Sequence, residues 1–457
     1  MPEVKPQDNL VQETVSSEPD ALEASGNAYN WRRGVFFNAT IVGLAAFAAP
    51  GLWNAMQSVG AGGQQTPYLV MAGNAILFAT MTFACLTGSI VANRFGLKAA
   101  LIFGTTGYVL YSAALYANNR YGTVWFIYLG SAACGLSAGI FWSAEGSIML
   151  SYPEPEKRGR YLSYWLAYRN SGSILGGAIN LAFNYAGRTT GKLDWRTYIV
   201  FVVLQCLGPV VVSFLSSPSK VRRRNGTRVQ IGERVSDFDE LKALGKALCR
   251  RDVLLIFPYF LYVAFQLPYN SSYLSLYFSV RSRALASLVS ALAQVFTTLL
   301  FGAFLDWTSL SFNRRARYGF IFMMSLIGGC WIWGTIVQVG YTKDKPSLDW
   351  SDDGFGRGWA LYIFWSINFS LAYNYGFWLI GLMARDPKEV VRYMSVARAV
   401  EAAGQCIASG ISSTSAPLTV PLGLNFALWA VASVPGYLVV RQAGIIHRGP
   451  EKTVASE

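Results

Sequence analysis

Pro155-Glu156-Lys157-Arg158-Gly159-Arg160-Tyr161-Leu162-Ser163 and Pro387-Lys388-Glu389-Val390-Val391-Arg392-Tyr393-Met394-Ser395 are two versions of one loop, offset by 232 residues. Pro, Arg, Tyr and Ser coincide. The register continues without a gap to Ala167 over Ala399, Gly172 over Gly404 and Ile179 over Ile411. Each copy leads from a basic turn into a long apolar stretch. The same loop joined to the same helix in two halves is what a duplication into parallel six-helix repeats predicts.

Outward from these loops, the apolar stretches can be counted. A spanning helix needs about 20 mostly apolar residues. Such stretches occur at 34–56, 68–91, 97–116, 123–150, 161–185, 195–215, 253–278, 284–305, 318–339, 358–383, 390–412 and 420–440. The sequence therefore predicts an all-α membrane protein: twelve transmembrane helices as two six-helix bundles related by an internal repeat. Composition agrees, because 53% hydrophobic and only 14% charged residues lie far from the balance of a soluble domain.

The expected organisation is a disordered cytoplasmic tail over 1–30, a first bundle over 31–217, a basic cytoplasmic linker over 218–251, a second bundle over 252–441 and a cytoplasmic tail over 442–457. Residues 1–30 hold acids such as Glu3, Asp8 and Glu13 and no apolar core, so no cleavable signal is expected. Within the linker, Val235 to Cys249 has the spacing of an amphipathic surface helix, with Phe238, Leu241, Leu244 and Leu248 on one side. Placing the N-terminus in the cytoplasm puts 27 Lys and Arg on that side and 9 opposite, with Arg169 and Arg398 inside spans. That bias orients both termini towards the cytoplasm of a plasma membrane or endomembrane. It also accounts for the net charge of +13 without a nucleic-acid partner.

Several chemistries are excluded. His447 is the single histidine and lies beyond the last span, so no triad or His-based metal centre is expected in the membrane body. Five of the six cysteines fall in spans and the sixth, Cys249, in the linker, with no metal or disulfide spacing. No phosphate-binding loop is present: Gly187 to Leu193 has the wrong spacing. The chain is read as neither enzyme nor ATPase, with no cofactor and no metal.

Between spans two and three, Ser89-Ile90-Val91-Ala92-Asn93-Arg94-Phe95-Gly96-Leu97-Lys98 resembles the loop signature of the major facilitator superfamily. Arg94, Gly96 and Lys98 match it, while Asn93 replaces its acid. The counterpart after span eight keeps Gly302 and Asp306, followed by Arg314, Arg315 and Arg317. A helix-end carboxylate facing a base or helix N-terminus can act as a latch during rocking of two halves, so these positions form an expected cytoplasmic gating motif. Within the superfamily the chain resembles the Unc-93-like family, particularly its fungal members. The resemblance rests on Pro50-Gly51-Leu52-Trp53-Asn54-Ala55-Met56 with Gly60-Ala61-Gly62-Gly63, on Trp142-Ser143-Ala144-Glu145-Gly146, and on Tyr152 to Gly159 leading into Gly172, Gly176, Gly177 and Asn180. It implies a twelve-helix facilitator fold. Animal relatives commonly carry Gln at the place of Glu145. Two functions follow: a secondary transporter that moves a small organic solute or ion by alternating access, with Glu145 and Glu401 as the sites of a coupling proton, or a transporter-shaped accessory protein that escorts or regulates a membrane-protein partner.

The discriminator is ionisable groups in the membrane, each costing about 2.5–3.5 kcal/mol or more at the bilayer centre. Glu145 and Arg169 lie at similar depth on hairpin-linked helices, so pairing is expected. Arg398 and Glu401 are three apart on one helical face. In the repeat, Arg169 overlies Glu401, which suits a zwitterionic or polar solute. Asn368, Asn374 and Gln266 are expected to line a central cavity beside the aromatics of span ten, and Pro268 is expected to break span seven. Gly135/Gly139 and Gly172/Gly176 have the spacing that permits close helix packing.

Overall fold

In hydrocarbon, backbone N–H and C=O groups find no water, so long apolar stretches close their hydrogen bonds internally as helices. The computed structural model describes residues 31–446 apart from 65–66, 155–157, 224–228, 230–236, 306, 308 and 384–386. Each of the twelve apolar stretches is helical. The first comprises α1 (Val35–Ala46), a π-helical turn (Phe47–Gly51) and α2 (Leu52–Ser58). There follow α3 (Tyr68–Phe95), α4 (Leu97–Tyr121), α5 (Trp125–Ser151), α6 (Arg158–Asn184) and α7 (Trp195–Ser213). The linker contributes α8 (Asp237–Leu248). The second half contains α9 (Arg251–Tyr277), α10 (Val280–Leu305), α11 (Phe312–Asp344), α12 (Phe355–Met383), α13 (Pro387–Ser412) and α14 (Thr419–Ile446).

Among the described residues, nine helical stretches are long and apolar enough to cross a membrane. α6, α12 and α13 are as long as these but more polar. α6 carries Arg169 and Asn180, α13 carries Arg398 and Glu401, and α12 carries Asn368, Asn374 and a run of Trp and Tyr. Their polarity marks where the interior is not pure hydrocarbon. The exterior is apolar instead: Phe83 on α3 and Leu299 on α10 are 71% and 69% exposed, an arrangement that suits lipid and not water.

One core of buried side chains is drawn from residues 253 to 440, and two others from residues 35 to 229 with Val280, Ala399 and Ala402 added. The halves meet where α6 packs on α10 and α13 packs on α3. The repeat expected from the sequence would map span five onto eleven and span two onto eight, and so one of these contacts onto the other.

Small residues bring backbones together inside the first half. A Cβ on Gly172 would stand 2.5 Å from Phe47 O, and one on Gly135 2.0 Å from Leu77 O, so α6 and the first stretch, and α5 and α3, approach at main-chain distance. The turn at Phe47–Gly51 follows from Pro50, which supplies no N–H to the helical ladder.

The expectation for span seven is corrected. α9 runs unbroken through Pro258 and Pro268, since its neighbours pack tightly enough to hold a helix that has lost single bonds. Asp306 and residues 1–30 and 447–457 lie outside the described residues, as does most of 224–236.

Candidate functional site

The molecule has two ends. One carries the loops after α3, α5, α10 and α12 together with α8, and is termed the linker end. The other carries the turns after α2, α4, α6, α9, α11 and α13. Charge is handled differently at each.

Towards the linker end, a cavity of about 150 Å³ opens between α3, α5, α6, α12 and α13, room for a ring of benzene size below a mouth that is not closed. Both halves line it. α5 contributes Trp142 and Glu145, α6 contributes Trp165 and Arg169, α12 contributes Tyr373, Asn374 and Phe377, and α13 contributes Arg398. Helical spacing places these groups, because Trp142 and Glu145, Trp165 and Arg169, and Tyr373 and Phe377 are each three or four apart and share a face.

The two guanidiniums lie on aromatic rings. Arg398 sits 4.2 Å from the Trp142 ring centre, 4.6 Å from Phe377 and 4.9 Å from Tyr373. Arg169 sits 5.1 Å from Trp142 and 5.6 Å from Tyr373. A desolvated cation on a ring face gains about 2 kcal/mol. Arg398 also donates from Nη1 to Glu401 Oε2 at 3.3 Å. Arg169 and Glu145 do not form the expected ion pair: among the described residues no carboxylate lies within 4 Å of Arg169, which is held over the rings instead. Glu145 is only 2% exposed, yet neither carboxylate oxygen has a hydrogen-bond partner, and Trp165 Nε1 and Arg169 Nε are unpartnered as well.

The other sequence candidates divide. Asn374 lines the cavity and donates to Ser370 O at 2.8 Å and Thr298 Oγ1 at 3.0 Å. Asn368 does not: nine residues before Phe377, it is half a turn round α12 from the lining face and is fully buried. Gln266 is also buried away from the cavity, its Nε2 donating to Val263 O at 3.2 Å, because α9 packs among α12, α13 and α14. In the loop motif, Arg94 and Gly96 are exposed and Lys98 is half-buried. Gly96 joins α3 to α4 with φ +87° and ψ 151°, a conformation glycine alone adopts readily. The side chain of Asn93, like Asp306, is outside what is described. Gly302 is partly buried in α10, and a Cβ there would meet no atom within 4 Å.

Sequence reasoning missed the far end. Arg283, counted there only as one of nine loop charges, is completely buried at the start of α10. It donates from Nε to Val59 O at 2.8 Å, from Nη1 to Gly191 O at 2.8 Å, and from Nη2 to Gly60 O at 2.9 Å and Gln64 O at 3.0 Å. The chain curls to present these carbonyls because four successive residues, Gly60 to Gly63, have positive φ from +48° to +83°, three of them glycines that bear it without strain. Ser271 Oγ accepts from Ala61 N at 2.7 Å, and Tyr362 donates to Ser58 O at 2.7 Å. Residues from α9, α10 and α12 thus bind the end of the first helix and seal this side. Beside the seal, Asp349 accepts from Arg281 Nε at 2.6 Å, Ser279 Oγ at 2.6 Å and Ser351 Oγ at 2.7 Å. The Arg281 guanidinium holds the Asp349 carboxyl well below the usual carboxylate range. The glycine run Gly60-Ala61-Gly62-Gly63 was a usable signal, but nothing in sequence linked it to Arg283.

Comparisons with known proteins show the family and the fold. A family profile described as "Ion channel regulatory protein UNC-93" matches residues 65–305. The "Notoamide biosynthesis cluster protein O'" of Aspergillus versicolor is 39% identical over 420 residues, covering 91% of each chain. "UNC93-like protein 1" of Arabidopsis thaliana is 29% identical, covering 86% of this chain and 87% of that one. Among solved structures, a POT family transporter in complex with 5-aminolevulinic acid superposes with a TM-score of 0.64 at 13% identity, covering 90% of this chain and 96% of that chain. The partially occluded inward-open xylose transporter XylE from E. coli gives 0.60 at 12% identity, covering 93% and 99%. At such identities the likeness shows the fold alone, which is that of major facilitator transporters. Family and fold resemble transporters or regulators and not enzymes.

Proposed function

Because the chain belongs to the UNC-93 family, we propose that it is a secondary transporter that moves a small organic solute or ion by alternating access, with the linker-end cavity as its solute site. The observation that carries this reading is the contrast between ends: a seal made by both halves at one, and a charged, aromatic cavity between the halves at the other. A scaffold gains nothing from an unpartnered Glu145 inside a membrane, where such a group is costly. Twelve helices form two six-helix bundles over 31–217 and 252–441, joined by the linker 218–251, and rock on the reciprocal α6–α10 and α13–α3 contacts. Both termini are cytoplasmic, so the cavity faces the cytoplasm and Arg283 seals the outside. Asn93, Arg94, Gly96 and Lys98, with Gly302 and Asp306, gate the cytoplasmic side. Glu145 and Glu401 are the protonation sites that couple solute to protons, Arg398 releasing Glu401 when the halves move. The chain carries out no catalysis.

A second reading, an accessory protein that escorts or regulates another membrane protein, is favoured by the description of the matched family. Purified protein in liposomes, screened for solute-dependent proton movement with an internal pH dye, separates the two. Transport predicts at least one solute that moves protons, and Glu401→Gln abolishes the coupling. If no solute moves protons or raises the melting temperature, and a membrane partner co-purifies whose surface level depends on this chain, the accessory reading replaces it. Orientation is checked by a membrane-impermeant thiol reagent. Cys249 and Cys206 are both exposed, but Cys206 is in mid-helix on α7, so labelling from the cytoplasmic side alone, lost in Cys249→Ser, is expected.

A further inference from the structure

The cavity presents two groups of opposite charge that form no ion pair with each other or with another described residue. Arg398 is already balanced by Glu401 at 3.3 Å and occupied with rings. Arg169 has no carboxylate within 4 Å among the described residues, and its Nε is buried without a partner. Among the described residues neither buried oxygen of Glu145 has a donor at full hydrogen-bond distance, and the Trp165 indole N–H, which lies beside that carboxylate, has no acceptor at such a distance. All three line the same cavity. Buried polar groups are almost always paired, so a cluster of exceptions on one cavity wall calls for a missing partner.

We propose that this partner is a small zwitterion with an apolar, preferably aromatic, side group: an α-amino acid by chemical class. This deepens the transporter reading and rests on it. The ligand carboxylate accepts from Arg169, and its ammonium donates to Glu145, beside which the Trp165 indole N–H also lies. A plain anion would satisfy Arg169 but leave its charge beside the Glu145 carboxylate. A plain cation would satisfy Glu145 but face both arginines. A neutral sugar offers no charge to either. Met149 and Met394, also on the cavity wall, supply the soft surface against which a flat ring packs.

Three probes that share a ring and differ in charge test this on the purified full-length chain: L-phenylalanine, hydrocinnamate (carboxylate only) and phenethylamine (ammonium only). Calorimetric binding of phenylalanine should exceed that of each of the others about tenfold or more, the loss expected for one charge-assisted hydrogen-bond pair. Glu145→Gln should erase the preference over hydrocinnamate, and Arg169→Gln the preference over phenethylamine. If Arg169→Gln fails to fold, the wild-type ranking still decides; a Glu145→Gln variant that fails to fold means that the carboxylate is already paired and overturns the zwitterion. Hydrocinnamate or phenethylamine binding as tightly as phenylalanine, or none of the three binding, overturns the zwitterion. Uptake into liposomes separates the two levels: phenylalanine that binds with this ranking but is not transported upholds the ligand class and removes the transporter reading. Transport of a sugar or a plain anion with no phenylalanine binding does the reverse.

Discussion

Arg283 and Arg169 are both buried cations in a low-dielectric interior, and the protein treats them in opposite ways. Arg283 is enclosed by four backbone carbonyls of the other half of the chain, which accept from it, with every nitrogen used. Arg169 rests on two ring faces and, among the described residues, has no carboxylate within 4 Å. A carbonyl cage is a complete replacement for water, so Arg283 contributes to closing the far end. A ring face replaces water only in part, which leaves Arg169 with donors to spare. The lesson is that burial alone does not separate structural from functional charge; the fraction of hydrogen-bonding capacity already used does.

The largest effect should come from emptying the cage. Arg283→Met leaves several buried carbonyls unpaired and should cost about 3–5 kcal/mol, read as a large drop in melting temperature in detergent, with Arg283→Lys intermediate. Arg169→Met loses mainly its ring contacts and should cost no more than about 2 kcal/mol. Equal losses would break the contrast. The same logic ranks the two acids. Glu401→Gln weakens a made ion pair and should destabilise by about 1–3 kcal/mol, whereas Glu145→Gln removes a charge that has no partner and should change stability by less than about 1 kcal/mol or raise it. A Glu145→Gln variant that fails to fold would mean that its carboxylate is paired in the native state.

Glycine substitutions sharpen the comparison further. Gly60→Ala meets both positive φ and a Cβ position 2.7 Å from Ser271 O, so a loss of about 2 kcal/mol is expected, against about 1 kcal/mol for Gly96→Ala, where only the backbone conformation resists. The smallest effect concerns acid. Because the Asp349 carboxyl is held below its unfolded value, its contribution is fully present above the ordinary carboxylate range and is lost as pH falls through the depressed value. The melting-temperature gap between wild type and Asp349→Asn should therefore be flat from neutral pH to about pH 4 and shrink only below it. A gap that closes by pH 6 would show that Arg281 does not hold this carboxyl.

Much of the fold was legible because apolar length, the 232-residue repeat and the small-residue spacings are written directly in the chain. The cavity was half legible. Glu145, Arg169 and Arg398 stand out because a charge inside an apolar run is conspicuous whichever way it faces. Asn368 and Gln266 could not be placed, since α12 and α9 are aromatic and polar on several faces and periodicity gives no single inward direction. The expected Glu145–Arg169 pair failed for a related reason: depth along two helices can be counted, but the pull of Trp142 and Tyr373 on a guanidinium cannot. Arg283 was illegible altogether, because its partners are main-chain atoms.

That last point has an evolutionary consequence. A residue that binds side chains leaves a trace, since a change on one side favours a compensating change on the other. Arg283 binds the backbone of 59–64 and of Gly191, so most of those side chains can drift without disturbing the cage, provided the glycines that bend it remain. Across relatives the seal would then show as an invariant arginine and an invariant glycine run with no co-variation between them, and methods that infer contact from paired change would pass over a place where the two halves hold each other.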